Sequence, residues 1–167
     1  MNAQMTDPQI AMLSFQEGLT NGIVEVGPIS GHPNLYSHFD VPAPGVKRLT
    51  YVRLTEDRRT VTAFVCCVPN GTVDGHPCIS VGYAVPVENR NQGLAKHLLQ
   101  VVLEDHAIQA QRNGLSAIYI ESIIDRNNLP SQRVTESVFK VPREEIIDKE
   151  SGVPAYRYTK RIDGRKL

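Results

Sequence analysis

Pro86-Val87-Glu88-Asn89-Arg90-Asn91-Gln92-Gly93-Leu94-Ala95 stands between a run that reads as a β-strand and one that reads as an amphipathic helix. That order of parts is what a turn binding an anion such as pyrophosphate needs. A strand delivers the chain to a bend, and Gly93 lets the backbone approach a ligand with no Cβ in the way. The first turn of the helix then presents N–H groups without carbonyl partners, at the positive end of the helix dipole. Before the turn, Ile79 to Val85 alternates, with Ile79, Val81, Tyr83 and Val85 on one face. After it, apolar residues recur at Leu94, Leu98, Val101, Val102 and Ile108, widened by Ala95, Leu99 and Leu103, until Asn113-Gly114 supplies a stop. This predicts a helix of about five turns. Ser116 to Glu121, with Ile118, Tyr119 and Ile120, reads as a short strand. Strand, turn, helix and strand make a βαβ unit, and its turn lies at the carboxyl end of the first strand, where open α/β sheets bind ligands.

Further out, Lys47 to Thr55 and Thr60 to Val68 read as an antiparallel hairpin across Glu56-Asp57-Arg58-Arg59, closed by a turn at Pro69-Asn70-Gly71. A second helix is predicted over Leu129–Phe139. Asn128 is its cap, Pro130 is tolerated in the first turn, and Val134 and Val138 are its core contacts. Arg143 to Asp148 and Ala155 to Ile162 pair as closing strands around Ser151-Gly152. Before residue 47, Pro8, Pro28, Pro33, Pro42 and Pro44 permit only a short helix after Asp7 and a strand at Ile23 to Val26. The chain reads as one domain over 1–167, with an irregular part at 1–46 and a recognisable core at 47–162.

Composition removes other classes. Lysine plus arginine equals aspartate plus glutamate at 18 each, so no long-range field draws the chain to nucleic acid or anionic lipid. No segment approaches the ~18 apolar residues of a membrane span, and the first residues lack a basic stretch followed by an apolar run, so a cytoplasmic location is expected. Cys66, Cys67 and Cys78 form no C-x-x-C pair and are odd in number, which predicts buried free thiols rather than disulfides or zinc. His32, His38 and Asp40 lie in a Pro-rich stretch without ligand spacing, so no metal is expected.

Val85, Pro86, Glu88, Arg90, Gly93 and Ala95 resemble the acyl-CoA signature V-x-P-x-x-R/Q-x-x-G-x-G/A of the GNAT N-acetyltransferase superfamily, displaced by one position around the proline. A second stretch, Asn128-x-x-Ser131-x-Arg133-Val134-x-Glu136-x-x-Phe139, looks like the helix of the ribosomal-protein N-terminal acetyltransferase branch. The resemblance spans Arg48 to Ile162. It implies an α/β GNAT fold, with a mixed, mostly antiparallel central sheet flanked by helices and splayed at the acyl-CoA site, and acetyl-CoA as co-substrate. The pyrophosphate would rest on backbone N–H groups of Asn91, Gln92, Gly93, Leu94 and Ala95, helped by Arg90. Pantetheine would lie along Val85 and Val87, with Pro86 between them losing no donor. Asn128 and Ser131 would face the other side of the cofactor.

The acid and base positions depart from that pattern. Many members carry a glutamate base on the strand before the cofactor turn, but here that region reads His76-Pro77-Cys78-Ile79-Ser80. The tyrosine that many use as general acid in the second helix is matched by Thr135. Substitutes on nearby strands are Tyr83, Tyr119, Tyr156 and Tyr158, with Ser80 and His76 as further candidates; Tyr83, Ser80 and His76 are the catalytic residues expected. A lysine amine at pKa ~10.4 costs about 4.6 kcal/mol to deprotonate at pH 7, and an α-amine at ~7.8 only about 1 kcal/mol. A site without a strong base therefore favours α-amines: a protein or peptide N-terminus, an amino acid, or a charged tRNA, the last disfavoured by the balanced charge. The alternative is a catalytically inactive CoA-binding or scaffold protein of the same fold. The pattern leaves room for a homodimer.

Overall fold

A computed structural model describes residues 7–164 of the chain. The helices are α1 (Pro8–Thr20), α2 (Leu94–Arg112) and α3 (Leu129–Phe139). The strands are β1 (Gly27–Pro28), β2 (Leu35–Ala43), β3 (Val46–Leu54), β4 (Val61–Val73), β5 (His76–Ala84), β6 (Ala117–Asp125), β7 (Glu144–Ile147) and β8 (Pro154–Asp163). All strand pairs with a defined register are antiparallel except β5–β6.

The described residues fall into two compact units, whose boundaries lie inside β4, β5 and α2. One holds the chain up to Val68 together with Gly82–Leu99. Its strands run β1-β2-β3-β4. Asp7 starts α1 by accepting Gln9 N at 2.8 Å, with Pro8 in the first turn, where a missing N–H costs nothing. The helix buries Met12 and Phe15, the latter edge-on to Phe64 at 5.9 Å. Gln16 extends from α1 to the β3–β4 connection, accepting from Val61 N at 2.7 Å and donating to Arg59 O at 2.9 Å. Val61 to Val68 is buried at every position, which is why this strand reads as an unbroken apolar run instead of an alternation.

The other unit holds Pro69–Val81 and the chain from Gln100. Its strands run β4-β5-β6-β8-β7, with β8 inserted between β6 and β7. The parallel pair β5–β6 is short, with Cys78↔Tyr119, Ile79↔Ile120 and Ser80↔Glu121 as its rungs, although β6 continues to Asp125. Helix α3 covers the opposite face of the sheet from Glu121, burying Gln132, Thr135, Val138 and Phe139, and receives Tyr158 Oη–H on Glu136 at 2.8 Å.

Several expectations need correction. The hairpin does not close at Pro69-Asn70-Gly71. Gly71 takes φ +67°, a kink open to glycine, and β4 runs on to Val73. The turn is Asp74-Gly75, both at positive φ (+49° and +78°), the pair that a two-residue hairpin turn selects. Ile23 to Val26 is not a strand; the N-terminal strands are β1 and β2, and β2 carries Pro42 near its outer end, at the rim of a sheet edge where a missing donor is tolerated. Strand β6 extends four residues past Glu121. Val134 is only half-buried, and Gln132 and Thr135 fill the helix face instead. The three cysteines are buried free thiols. No helix among the described residues is long and apolar enough to cross a membrane.

Candidate functional site

The strand β5 ends at Ala84, and Val85 and Pro86 carry the chain into one 3-10 turn over Val87–Asn89. Arg90 returns to extended backbone (φ −71°, ψ 160°), then Asn91 (φ +61°) and Gly93 (φ +72°) take left-handed conformations before α2 begins at Leu94. Asn91 is among the few side chains that accept this region, and Gly93 accepts it without strain. Alternating hands in this way turns successive amides toward one side, the geometry that makes an anion nest. The first bond of α2 runs from His97 N to Gly93 O at 3.1 Å, so the amides ahead of it project from the helix end.

Arg90, Asn91, Gln92 and Gly93 are exposed, Leu94 and Ala95 are half-buried, and Val87 is 70% exposed. A Cβ built on Gly93 meets nothing within 4 Å, so the space before these amides is open. Arg90 folds back along the turn, its Nε donating to Val85 O at 3.2 Å. The His32 ring meets His97, on the first turn of α2, at 6.5 Å between centroids. A pyrophosphate fits an exposed turn at the positive end of a helix, with open space at Gly93 and an arginine on the same turn.

The remaining expected residues lie elsewhere in the chain's architecture. Tyr83 is half-buried on β5, two residues before Val85, in the same unit as the turn. Ser80, His76, Asn128 and Ser131 belong to the other unit. Ser80 is buried at 8% exposure on the last parallel rung. His76 opens β5, its ring 6.3 Å from Tyr119. Asn128 Oδ1 caps α3, accepting Ser131 N at 3.2 Å, and the loop before it is pinned by the buried Gln132 amide, which donates to Asp125 O at 3.1 Å and Arg126 O at 2.9 Å. Tyr158 is fully buried, and burial with the Glu136 hydrogen bond holds its hydroxyl up to about 12, so it does not give up a proton readily. Tyr119 donates to Asp74 Oδ2 at 3.2 Å, and Arg143 covers the Tyr156 ring at 4.0 Å. Thr135 is fully buried. Among the described residues no group of three or more His, Cys, Asp or Glu could hold a metal. A buried carboxylate that the sequence reading passed over is Glu121, at 6% exposure opposite Ser80. Glu121 as the one charged residue between Ala117 and Ile124 was the available signal.

No family model matches the sequence, and no curated protein matches it. Solved structures do match. The apo form of RimL, a ribosomal L7/L12 α-N-protein acetyltransferase, aligns over 84% of this chain and 100% of its own with TM-score 0.56 at 15% identity. The NatC complex bound to Gag peptide and CoA aligns over 66% of this chain and 69% of its own, with TM-score 0.51 at 15% identity. RimL with coenzyme A aligns over 72% of this chain with TM-score 0.51 at 16% identity, and there the chain spans 64% of the neighbour's length. The fold is the GNAT fold. The parallel β5–β6 pair and the turn after β5 fall where the βαβ reading of Ile79 to Glu121 places them.

Proposed function

We propose that the protein transfers an acetyl group from acetyl-CoA to a primary amine, with a preference for α-amines. The observation that carries this is the turn itself: left-handed Asn91 and Gly93 ahead of a 19-residue helix, on a GNAT fold. Val85 and Val87 hold the pantetheine arm by backbone bonds, and the amides of Asn91 to Ala95 with Arg90 hold the pyrophosphate. Bound acetyl-CoA supplies the thioester. Tyr83, nearest the turn along β5, is the residue proposed to return a proton to the leaving thiolate.

Two things support an α-amine acceptor. Strand β5 offers no carboxylate, and the fold neighbours include a protein described as an α-N-protein acetyltransferase. Proximity of the bound reactants supplies much of the rate. The acceptor is a protein or peptide N-terminus or a small amine. The buried Thr135 and the carboxylate-free β5 favour a second reading, a CoA-binding protein without transfer activity. Calorimetry with CoA, followed by thiol release from acetyl-CoA with a panel of amines, decides. CoA binding with thiol release supports the enzyme, binding without release the second reading, and no binding removes both.

A further inference from the structure

From Arg126 to Arg143, across the β6–α3 loop, α3 and the approach to β7, four cations stand against one acid. Arg126, Arg133, Lys140 and Arg143 face only Glu136, a net of three positive charges in a chain whose charges cancel overall. All four cations are exposed, and all lie in the unit that holds the chain from Gln100. Helix α3 buries Gln132, Thr135, Val138 and Phe139, so Arg133, Glu136 and Lys140, at i, i+3 and i+7, share its outward stripe. Arg126 and Arg143 both lie over the Tyr156 ring, 5.8 and 4.0 Å from its centroid. The loop under Arg126 is fixed, because Gln132 Nε2 donates to Arg126 O at 2.9 Å and Arg126 N donates to Pro154 O at 3.4 Å. No ion pair among the described residues includes Arg126, Arg133 or Lys140. The acids beside them are engaged. Asp125 accepts Asn127 N at 2.8 Å, Glu144 pairs with Arg157 at 2.9 Å, and Glu136 accepts Tyr158 Oη–H at 2.8 Å and faces Arg143 at 3.8 Å. Glu145, the rung partner of Tyr156, borders the patch.

We propose that this basic face of α3 docks an acidic segment of a partner polypeptide, whose Asp and Glu side chains pair with Arg126, Arg133 and Lys140. Arginine presents a fixed fork of donors that a carboxylate matches, and Arg126 is already held in place by its loop and by the Tyr156 ring. Each such pair at the surface is weak, so the partner is a run of acids and not a single anion. Arg133 and Lys140, seven residues apart on α3, stand about 10 Å apart, a distance that roughly three residues of extended chain span. A polynucleotide fits less well. The balanced charge of the chain gives no long-range field for one, and Tyr156, 7% exposed under its two arginines, offers no ring for a base to stack on. Docking of this kind requires neither CoA nor acetyl transfer, so it stands apart from the reading above.

The test is fluorescence anisotropy of the full chain, without CoA, with labelled peptides of one length in which alternate residues are Glu, Gln or Lys. The acidic peptide should bind at least about 10-fold more tightly than the Gln peptide at low salt, and should lose most of that advantage near ~0.5 M salt. The triple variant Arg126→Gln/Arg133→Gln/Lys140→Gln should bind it about 10-fold more weakly than the parent. Lys47→Gln/Arg112→Gln/Lys149→Gln removes the same charge from exposed positions elsewhere, and should stay within about threefold. Melting of both variants shows whether each is folded. Should the α3 variant not fold, single Arg126→Gln and Lys140→Gln proteins, each expected to lose about 2- to 3-fold, carry the test. Equal affinity for the acidic and Gln peptides overturns the proposal, as does an equal loss in the two triple variants, which would make the effect one of net charge. A single-stranded RNA that binds more tightly than the acidic peptide, and is released by the α3 variant, overturns it in favour of a nucleic-acid surface.

Discussion

Gly93→Glu, read against Gly93→Ala, isolates the anion site from the backbone that builds it. Gly93 sits at φ +72° with nothing within 4 Å of a built Cβ, so either side chain enters open space and the folded state bears only the left-handed strain. That strain is about 1–2 kcal/mol, or a drop in Tm of roughly 2–8 °C for a chain of this size. Both variants should show it equally. The glutamate adds a negative charge about 6 Å from a pyrophosphate bearing about two charges, which at an effective dielectric near ~40 is repulsive by about 3 kcal/mol, and by about half that in bulk water. Gly93→Glu should therefore bind CoA roughly 10- to 150-fold more weakly than Gly93→Ala. The assay is calorimetry with CoA at low salt and again near ~0.5 M salt, where screening should shrink the gap between the two variants. Equal affinity of the two variants at low salt would refute placement of the pyrophosphate on this turn, whatever either variant does to Tm.

Four other outcomes are expected. His106 is buried on α2 with Nδ1–H donating to Val102 O at 2.8 Å, and burial lowers its pKa below the usual 6.5. The unfolded chain then takes up the proton first as pH falls through about 6.5, so stability should drop below that pH, and urea midpoints at pH 7.5 and 5.5 should differ more in the parent than in His106→Leu. Tyr158, raised to about 12, keeps its proton in the folded state while the unfolded chain loses it near ~10, so stability should fall as pH rises from ~10 to ~12. Tyr158→Phe should flatten that alkaline fall and cost about 1 kcal/mol at neutral pH, read by denaturant unfolding. Gln132→Leu removes two donors from the loop before α3 and should cost about 1–3 kcal/mol, with faster amide exchange at Asn127 and Asn128. At pH 7 a peptide with a free N-terminus should exceed one offering a single internal lysine by about two orders of magnitude in kcat/KM, since the ~3.5 kcal/mol difference in deprotonation is partly offset by lysine's greater nucleophilicity; a preference for the lysine peptide would count against the α-amine reading.

Legibility in this sequence follows how locally each element is determined. Helix α3 was readable to its ends because Asn128 caps it through its own side chain and Pro130 starts it, both short-range signals. The span of α2 was readable because a 3.6-residue apolar period and a stop at Asn113-Gly114 do not depend on distant partners. The β4–β5 hairpin was misplaced because Pro69-Asn70-Gly71 has the composition of a turn, and Asp74-Gly75, a stronger two-residue signal, lies only three residues further on. Strand β2 was missed because Pro42, the flanking Pro33 and Pro44, and exposed Phe39 and Val41 mimic a loop; its pairing with β3, Leu35↔Arg53 to Ala43↔Val46, is what makes it a strand.

The candidate site divides along the same line. An anion turn is written in consecutive residues, since Asn91, Gly93 and the start of α2 need only one another, and the sequence shows them side by side. Long-range polar contacts are not written that way. Asn70, Ser80 and Glu121 lie far apart in the chain and meet only through the β4–β5 hairpin and the parallel register, where Glu121 pairs with Ser80 and accepts from Asn70 Nδ2. Each of the three reads along the sequence as an isolated polar residue, and the burial of Glu121 at 6% exposure follows from its place on the sheet and not from its neighbours in the chain.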